Sequence, residues 1–187
     1  MITGIHVKNV TICGKGVLDG RADFENWWSR PKDKIRAWRP RMIFLNHCEN
    51  ITVVGVTVQN SPAWNLHPYF SNQIRFLDME VKGPANSHNT DGCDPESCTN
   101  VEIAGVHFSV GDDCIAIKSG KIYMGKKFKV PSRHIHIRQS WMQDGHGAVT
   151  VGSEIAAGVD DIHISKCRFS NTDRGCLLYT SDAADDK

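Results

Sequence analysis

Long apolar segments and an excess of charge of either sign are both missing from this sequence. Its apolar runs are only a few residues long, too short for a helix that crosses a membrane. The 22 basic and 21 acidic residues nearly cancel, and neither kind forms a stripe or a run. The sequence therefore predicts neither a membrane protein nor a nucleic-acid-binding protein, and its 187 residues are enough for one domain.

Paired cysteine motifs and helical periodicity are also lacking. The seven cysteines include no Cys-x-x-Cys motif, and the closest pair, Cys93 and Cys98, is separated by four residues. We expect most of them to be small buried apolar residues rather than disulfide partners or metal ligands, which leaves the redox compartment open. No amphipathic helix separates the predicted strands, and this argues against a doubly wound α/β sheet.

A short phrase recurs along the chain: one polar residue, then alternating apolar and polar positions. The first apolar residues of the successive phrases are Val10, Ile51, Ile74, Val101, Ile135 and Ile162. From the second phrase onward the spacing runs from 23 residues (51 to 74) to 34 residues (101 to 135). Each phrase is typical of a strand, and a second short strand follows it. Coils of about 23–27 residues with two or three short strands are the unit of a parallel β-helix, so we predict an all-β solenoid.

One long insertion interrupts the early repeats at residues 20–41. Between its end residues, Gly20 and Arg41, it carries three tryptophans and four arginines, namely Trp27, Trp28, Trp38, Arg21, Arg30, Arg36 and Arg39. We interpret it as a loop over one face of the solenoid. Two roles remain open, because such a loop can contribute to substrate binding or can pack its own aromatic side chains.

Two successive coils carry polar residues at the same offset from their first strand. Asp112 lies 11 residues after Val101, and His146 lies 11 residues after Ile135. Neighbouring parallel strands are roughly 4.8 Å apart, so these two side chains should lie one above the other. Asp91 belongs to the preceding coil and should adjoin the acid pair at 112–113 from below.

Clustered acids of this kind point to acid–base chemistry. Carboxylates held close together cannot all ionise easily, so one pKa rises to give a general acid while another group stays ionised as a base. Glycoside hydrolysis needs this division of roles. Gly-Asp-Asp alone can also cap a turn. The acid pair at 160–161 precedes a first strand, is interpreted as such a turn, and serves as a control.

Three motifs carry a family resemblance: Asn-Thr-Asp at 89–91, Gly-Asp-Asp at 111–113 and Gly-His-Gly at 145–147. In this order they resemble the polygalacturonases of glycoside hydrolase family 28, which hydrolyse pectin. The resemblance implies a right-handed parallel β-helix and hydrolysis of α-1,4-linked galacturonate with inversion, without a metal or other cofactor. It implies that Asp112 is the general acid, that Asp91 and Asp113 activate the water, and that His146 supports protonation of the acid. For inversion, acid and base carboxyls about 6.5–9.5 Å apart are expected.

The resemblance also implies how the protein meets its substrate. The candidate substrate-binding residues are Asn89, Lys118, His67 and Arg174. The expected partner is a polysaccharide, either pectin or oligogalacturonate, and neither a nucleic acid nor a membrane. The protein itself is expected to be a monomer that is secreted or periplasmic. Trp-Asn-Leu-His at 64–67 and the Trp-rich insertion resemble bacterial exo-acting members.

The C-terminal segment departs from the family pattern. Members carry Arg-Ile-Lys shortly after an Arg-Gly that here stands at 174–175, but the register places Leu177 and Tyr179 at its two basic positions. We therefore predict a partial β-helix catalytic domain over residues 1–175, with 20–41 as an inserted loop. Residues 176–187 are predicted to be a non-family tail, artefactual or disordered. The chain is accordingly interpreted as a fragment of a longer β-helix.

Two other functions fit a β-helix with this composition. A pectate-lyase-like protein would cleave by elimination, with calcium and a basic residue as the base, and would release an unsaturated product that absorbs ultraviolet light. A non-catalytic β-helix would bind polysaccharide without releasing reducing ends. The combination of acids and a histidine argues against the lyase, and the binding module stays open.

Overall fold

The chain coils into a solenoid whose strands pair in parallel with their equivalents one coil away. The structure is a computed structural model and describes residues 1–33 and 37–178. In chain order the strands are β1 (Ile2–Ile5), β2 (Lys8–Cys13), β3 (Val17–Asp19), β4 (Ile43–Asn46), β5 (Glu49–Val54), β6 (Thr57–Gln59), β7 (Leu66–Tyr69), β8 (Asn72–Leu77), β9 (Glu80–Lys82), β10 (Thr99–Ala104), β11 (His107–Val110), β12 (Ile115–Ile117), β13 (Ser132–Arg138), β14 (Trp141–Asp144), β15 (Gly147–Val151), β16 (Val159–Ser165), β17 (Arg168–Ser170) and β18 (Arg174–Leu178). A short helix, α1 (Ile122–Phe128), lies between β12 and β13.

The strands form three faces, and the right-handed parallel β-helix predicted from the sequence is confirmed. The six repeated phrases make one six-stranded sheet in the order β16-β13-β10-β8-β5-β2, and the short second strands make another in the order β17-β14-β11-β9-β6-β3. The third face consists of β1-β4-β7 and β12-β15-β18, which are joined through single bridges at Cys93 and Glu96. Ile51, Ile74 and Val101 occupy equivalent positions of adjacent coils and are almost completely buried.

The polar residue that opens each phrase turns the chain at a corner of the solenoid. These residues all have φ between 54° and 58°: Asn9, Asn50, Gln73, Asn100, His134 and Asp161. Asn, Asp and His are the non-glycine residues that adopt this left-handed region most readily. The repeated polar residue therefore reflects a backbone requirement of the corner, and the alternation after it fills the core.

Cysteines contribute to this core as apolar residues. Cys48, Cys93, Cys98 and Cys114 are buried, and no two cysteines form a disulfide within the part of the chain that the structure describes. Among the described residues, no helix has the length and apolar character that crossing a bilayer requires.

The packing of the insertion and the presence of helix α1 are two features that the sequence repeat does not predict. Within residues 20–41, Trp28 is buried, packs edge-on against Phe24 at 5.3 Å, and donates its indole N–H to the carbonyl of Ser61. The loop thus packs one of its own aromatic pairs, as one of the two interpretations expected. Arg36 lies outside the described residues. Helix α1 was not predicted, because it is short and Gly125 is its one buried residue, so it has no apolar stripe.

Candidate active site

The predicted site residues occupy two neighbouring columns that run along the solenoid axis. In the first column, Asp91, Asp113, Gly147 and Arg174 follow one another at one residue per coil. Gly147 leaves space for the carboxylate below it, because an added Cβ would lie 2.8 Å from Asp113 Oδ1 and 2.3 Å from Thr150 Oγ1. Such distances are shorter than real side chains allow, so the turn needs glycine to keep Asp113 in place.

The second column contains Asp112, His146 and Asp173. The backbone N–H of His146 donates to the carbonyl of Asp112 at 3.2 Å, so these two residues lie one above the other as predicted. Asp91 adjoins the acid pair from the preceding coil, because the N–H of Gly92 donates to the carbonyl of Asp113 at 2.9 Å. The single column expected from the sequence is thus resolved into two.

Three carboxylates meet in one cleft between these columns. One oxygen from each of Asp91, Asp112 and Asp113 lies within 4.8 Å of the others, and the cleft has a volume of about 320 Å³. The separation of 6.5–9.5 Å expected for an acid and a base is therefore wrong for these oxygens. Carboxylate oxygens are ligands that Ca²⁺ prefers, so this set could hold a cation, although the sequence predicts none.

Burial makes this cluster retain protons. Burial and, after it, the charge of Asp112 raise the pKa of Asp91 to about 7. The same two causes raise the pKa of Asp113, while the Thr150 hydroxyl acts in the opposite direction. Because an ordinary aspartate is ionised well below neutral pH, the cluster holds a proton where isolated carboxylates would have lost it. A proton donor and an ionised acceptor can therefore coexist in the cleft.

His146 lines the same cleft and is held through both ring nitrogens. Its Nδ1 lies 2.9 Å from Asp173 Oδ2, and its Nε2 lies 3.4 Å from Arg174 Nη1. Arg174 has only donors, so Nε2 accepts and Nδ1–H donates to the carboxylate in this arrangement. Asp173 was not singled out in the sequence, although it occupies the position equivalent to His146 one coil further on.

Asn89 and Lys118 line the cleft as predicted, but each already has a protein partner. Asn89 Oδ1 accepts a hydrogen bond from Arg39 Nη2 at 2.6 Å. Lys118 is 7% exposed, and its Nζ lies 3.7 Å from Asp94 Oδ1. Burial lowers the pKa of Lys118, but the charges of Asp94 and Asp91 outweigh it and raise the value overall. Its charge is thus directed at the buried acids.

The other two predicted binding residues lie on opposite sides of the cluster. His67 is 2% exposed, its Nε2 lies 3.0 Å from Glu96 Oε2, and burial lowers its pKa. It lies beneath Trp64, with the two rings edge-to-face at 4.9 Å, so the structure does not place it in the cleft. Arg174 is exposed beside His146 and is accessible to a ligand.

Asp94 is a fourth carboxylate that the sequence analysis missed. It is completely buried, and neither of its side-chain oxygens has a hydrogen-bond partner among the described residues. Burial and then the charge of Asp91 raise its pKa well above the usual value. Extending the strand register back to Cys93, which pairs with Ile115, would have placed Asp94 beside the cluster.

These raised pKa values predict how stability depends on pH. The folded state keeps the Asp91 proton up to about pH 7, whereas the unfolded chain releases it near pH 4. The unfolded state therefore binds fewer protons in this window, and the free energy of unfolding falls as pH rises from about 4 to 7. Asp91→Asn should reduce that fall by about 1–2 kcal/mol between pH 5 and pH 7, measured by urea unfolding.

The control for this measurement is Asp19→Asn. Hydrogen bonds from the Gln59 side chain and then from the Arg21 N–H lower the pKa of Asp19, so it titrates below the window, and no histidine bonds to it. This variant should keep the slope of the unmodified chain between pH 5 and pH 7. An unchanged slope in Asp91→Asn would contradict the raised pKa.

The chain is thus a parallel β-helix protein with a cleft in which three carboxylates meet beside a histidine. The family model described as "Glycosyl hydrolases family 28" matches residues 1–186, and the chain belongs to this family. The match continues through residues 176–186, and β18 extends to Leu178, beyond the domain boundary predicted at 175. Tyr179 and the rest of the predicted tail lie outside the described residues, and the boundary stays a prediction.

Individual relatives agree with the family. The chain is 33% identical over 183 residues to a probable polygalacturonase of Vitis vinifera, covering 96% of this chain and 37% of the relative. It is 31% identical to an endo-polygalacturonase of Pectobacterium parmentieri, covering 98% and 46%. The crystal structure of a hyperthermoactive exopolygalacturonase from Thermotoga maritima superposes with a TM-score of 0.85 at 31% identity, over 91% of this chain and 46% of that one. The chain thus spans less than half the length of these relatives.

Proposed function

We propose that this chain carries the acid–base centre of a polygalacturonase, which hydrolyses α-1,4-galacturonosidic bonds of pectin with inversion. The observation that carries the proposal is the meeting of three carboxylates within 4.8 Å in a surface cleft. Family membership supports the same substrate class, because both curated relatives named above are described as polygalacturonases.

The roles follow the chemistry of the cluster. Asp112 donates a proton to the leaving oxygen, and Asp91 and Asp113 accept hydrogen bonds from the attacking water. Three carboxylates this close share their protons, so the proton that burial retains near pH 7 belongs to the cluster as a whole. The Lys118 charge favours the ionised forms of Asp91 and Asp113, because it opposes the rise in their pKa that burial and the charge of Asp112 cause.

The short separation of the carboxylates is compatible with inversion if both approach the reacting atoms from one side. An attacking water about 3–3.5 Å from the anomeric carbon lies roughly 4.5–5 Å from the leaving oxygen in line across that carbon. Two carboxylates that hydrogen-bond to these two oxygens from the same side are then separated by a similar distance, as the carboxylates of this cleft are. Both the acid and the base therefore lie on the solenoid side of the bound sugar.

We further propose the bacterial exo type. The insertion at 20–41 lies beside the cleft, and Trp38 and Arg39 from it line the neighbouring cavity. A loop that lines the groove beside the acids can hold the end of a polymer there, which favours attack at chain ends. The Thermotoga maritima protein is described as exo-acting, whereas the Pectobacterium parmentieri protein of similar identity is described as endo-acting. The size of the first products decides between the two modes.

The test measures products from polygalacturonate. We define the extended chain as residues 1–175 followed by Leu-Arg-Ile-Lys and the C-terminal coils of the Thermotoga maritima protein. It should release reducing ends without added calcium, give the β-anomer in early proton NMR spectra, and produce mainly the shortest sugars first. Early α-anomer would contradict inversion. An unsaturated product that absorbs ultraviolet light would support elimination, and binding without reducing ends would support a binding module.

A further inference from the structure

The first column continues toward the N-terminus beyond Asp91. The pairing of Leu66 with Cys93 and of Ile43 with Leu66 places Trp64 one coil below Asp91 and Arg41 two coils below it. Two coils correspond to roughly 10 Å along the axis. On the other side, Arg174 lies two coils above Asp113. A cation thus stands at a similar distance on each side of the carboxylates.

A second cavity extends the cleft in this direction. It has a volume of about 670 Å³ and shares Trp64 and Asn89 with the cleft that holds the carboxylates. Its charged lining among the described residues comprises four cations and one acid, namely Lys32, Arg39, Arg41, Lys121 and Asp33. A positive groove that continues an acid–base cleft suits an anionic chain lying along the solenoid axis.

Three of the four cations that line this groove, Arg39, Lys121 and Arg41, differ in the protein groups that they contact. Arg39 donates to the carbonyls of Pro62 and His88 and to Asn89 Oδ1, so it ties the insertion to the catalytic segment. Lys121 lies 3.7 Å from Glu154 Oε1. Both cations are therefore already engaged by protein groups.

Arg41 is held differently. Its guanidinium carbon lies 5.0 Å from the ring centroid of Trp64 and 5.3 Å from that of Phe44, and no carboxylate pairs with it in the described part of the chain. Stacking orients a guanidinium through its face and leaves its N–H edge available. That edge can bind a carboxylate with two parallel hydrogen bonds.

We propose that Arg41, held on the ring of Trp64, forms a binding subsite for the carboxylate of a galacturonate unit on the N-terminal side of the acid cluster. This subsite rests on the proposed function, because the ligand is a unit of the same polymer. Its recognition is specific for the negative charge: a methyl-esterified or neutral unit offers no carboxylate to the guanidinium.

Calorimetric titration of the extended chain, as defined above, with trigalacturonate tests the subsite. All chains carry Asp112→Asn, so that the ligand is not consumed. Arg41→Gln should weaken trigalacturonate binding at least tenfold and leave the weaker binding of the methyl-esterified trimer unchanged. Arg41→Lys should recover only part of the loss, because an ammonium cannot make the paired contact.

Arg168→Gln is the matched control. Arg168 also lies over a tryptophan, at 4.8 Å from the ring centroid of Trp141, but it belongs to β17 on another face. It should bind trigalacturonate like the parent, and both variants should keep the parent's urea midpoint. Unchanged binding in Arg41→Gln, or equal losses for the acid and the ester, would overturn the subsite alone. A parent chain that binds no galacturonate oligomer would overturn the proposed function as well.

Discussion

Asp112→Asn in the extended chain should lower turnover of polygalacturonate by on the order of 10²-fold or more while the fold stays intact. The amide cannot donate the proton that the leaving oxygen requires. The fold should persist because Asp112 is only half-buried, and its Oδ1 accepts a hydrogen bond from the Asp113 N–H at 3.0 Å that an asparagine oxygen can also accept. Steady-state kinetics measure the loss, and the urea midpoint verifies folding.

Three further substitutions test whether the loss is specific to the carboxylates of the cleft. Asp91→Asn and Asp113→Asn should also be severe, because in the proposed mechanism both carboxylates accept hydrogen bonds from the attacking water. Asp161→Asn should be mild: this acid also belongs to an Asp-Asp pair, but it bonds His134 and His163 on the first six-stranded sheet. Inactivation by Asp161→Asn with full activity in Asp112→Asn would show that the register has been assigned incorrectly.

The fold was predictable because the corners and the core impose a local pattern on every coil. A left-handed corner selects a small polar residue, and the two inward positions after it must be apolar. These two constraints place Val10, Ile51 and Ile74 in one ladder even though an insertion of variable length intervenes. The repeat fixes strands and their pairing, and this is enough to bring Asp112 and His146 together.

The rest of the site depends on quantities that a repeat does not encode. Asp94 in Gly-Cys-Asp-Pro resembles a turn residue, yet it is fully buried, and Lys118 Nζ from the next coil lies 3.7 Å from its Oδ1. His67 follows Trp64 by three residues but is covered by the tryptophan ring. The spacing of the carboxylates also depends on side-chain direction, which alternation alone does not give.

The insertion illustrates why both interpretations of an aromatic-rich loop had to stay open. Trp28 packs into the loop's own core, whereas Arg39 reaches across to Asn89 beside the cleft that holds the carboxylates. The composition of residues 20–41 is the same for either role. Only the contacts separate a packing residue from one that positions the cleft.

The largest expected effect concerns positions 177 and 179, where the family pattern has two basic residues and this chain has Leu177 and Tyr179. Leu177 pairs with Thr150, which pairs with Ala116, so its predicted position in the register is confirmed. The family resemblance implies Arg at this position and Lys two residues later, where Tyr179 lies outside the described residues. Lys118 does not substitute for them, because its ammonium is buried beside Asp94.

A galacturonate carboxylate in the cleft needs cationic partners, since an unpaired buried charge is costly. Charge-assisted hydrogen bonds contribute about 1.5–3 kcal/mol each, so losing two of them should lower kcat/KM by on the order of 10²–10⁴-fold. We therefore expect the 187-residue chain to be nearly inactive on polygalacturonate. The extended chain, which carries Leu-Arg-Ile-Lys after residue 175, should be active.

A third chain separates the motif from the missing length. It carries the same C-terminal coils as the extended chain but keeps Leu177 and Tyr179, and it should remain as inactive as the 187-residue chain. Equal activity in this chain and the extended chain would show that the added coils matter and the two basic residues do not. Robust release of reducing ends by the 187-residue chain would show that cations elsewhere suffice, and Arg41 in the neighbouring groove and Arg174 beside His146 are then the groups to substitute next.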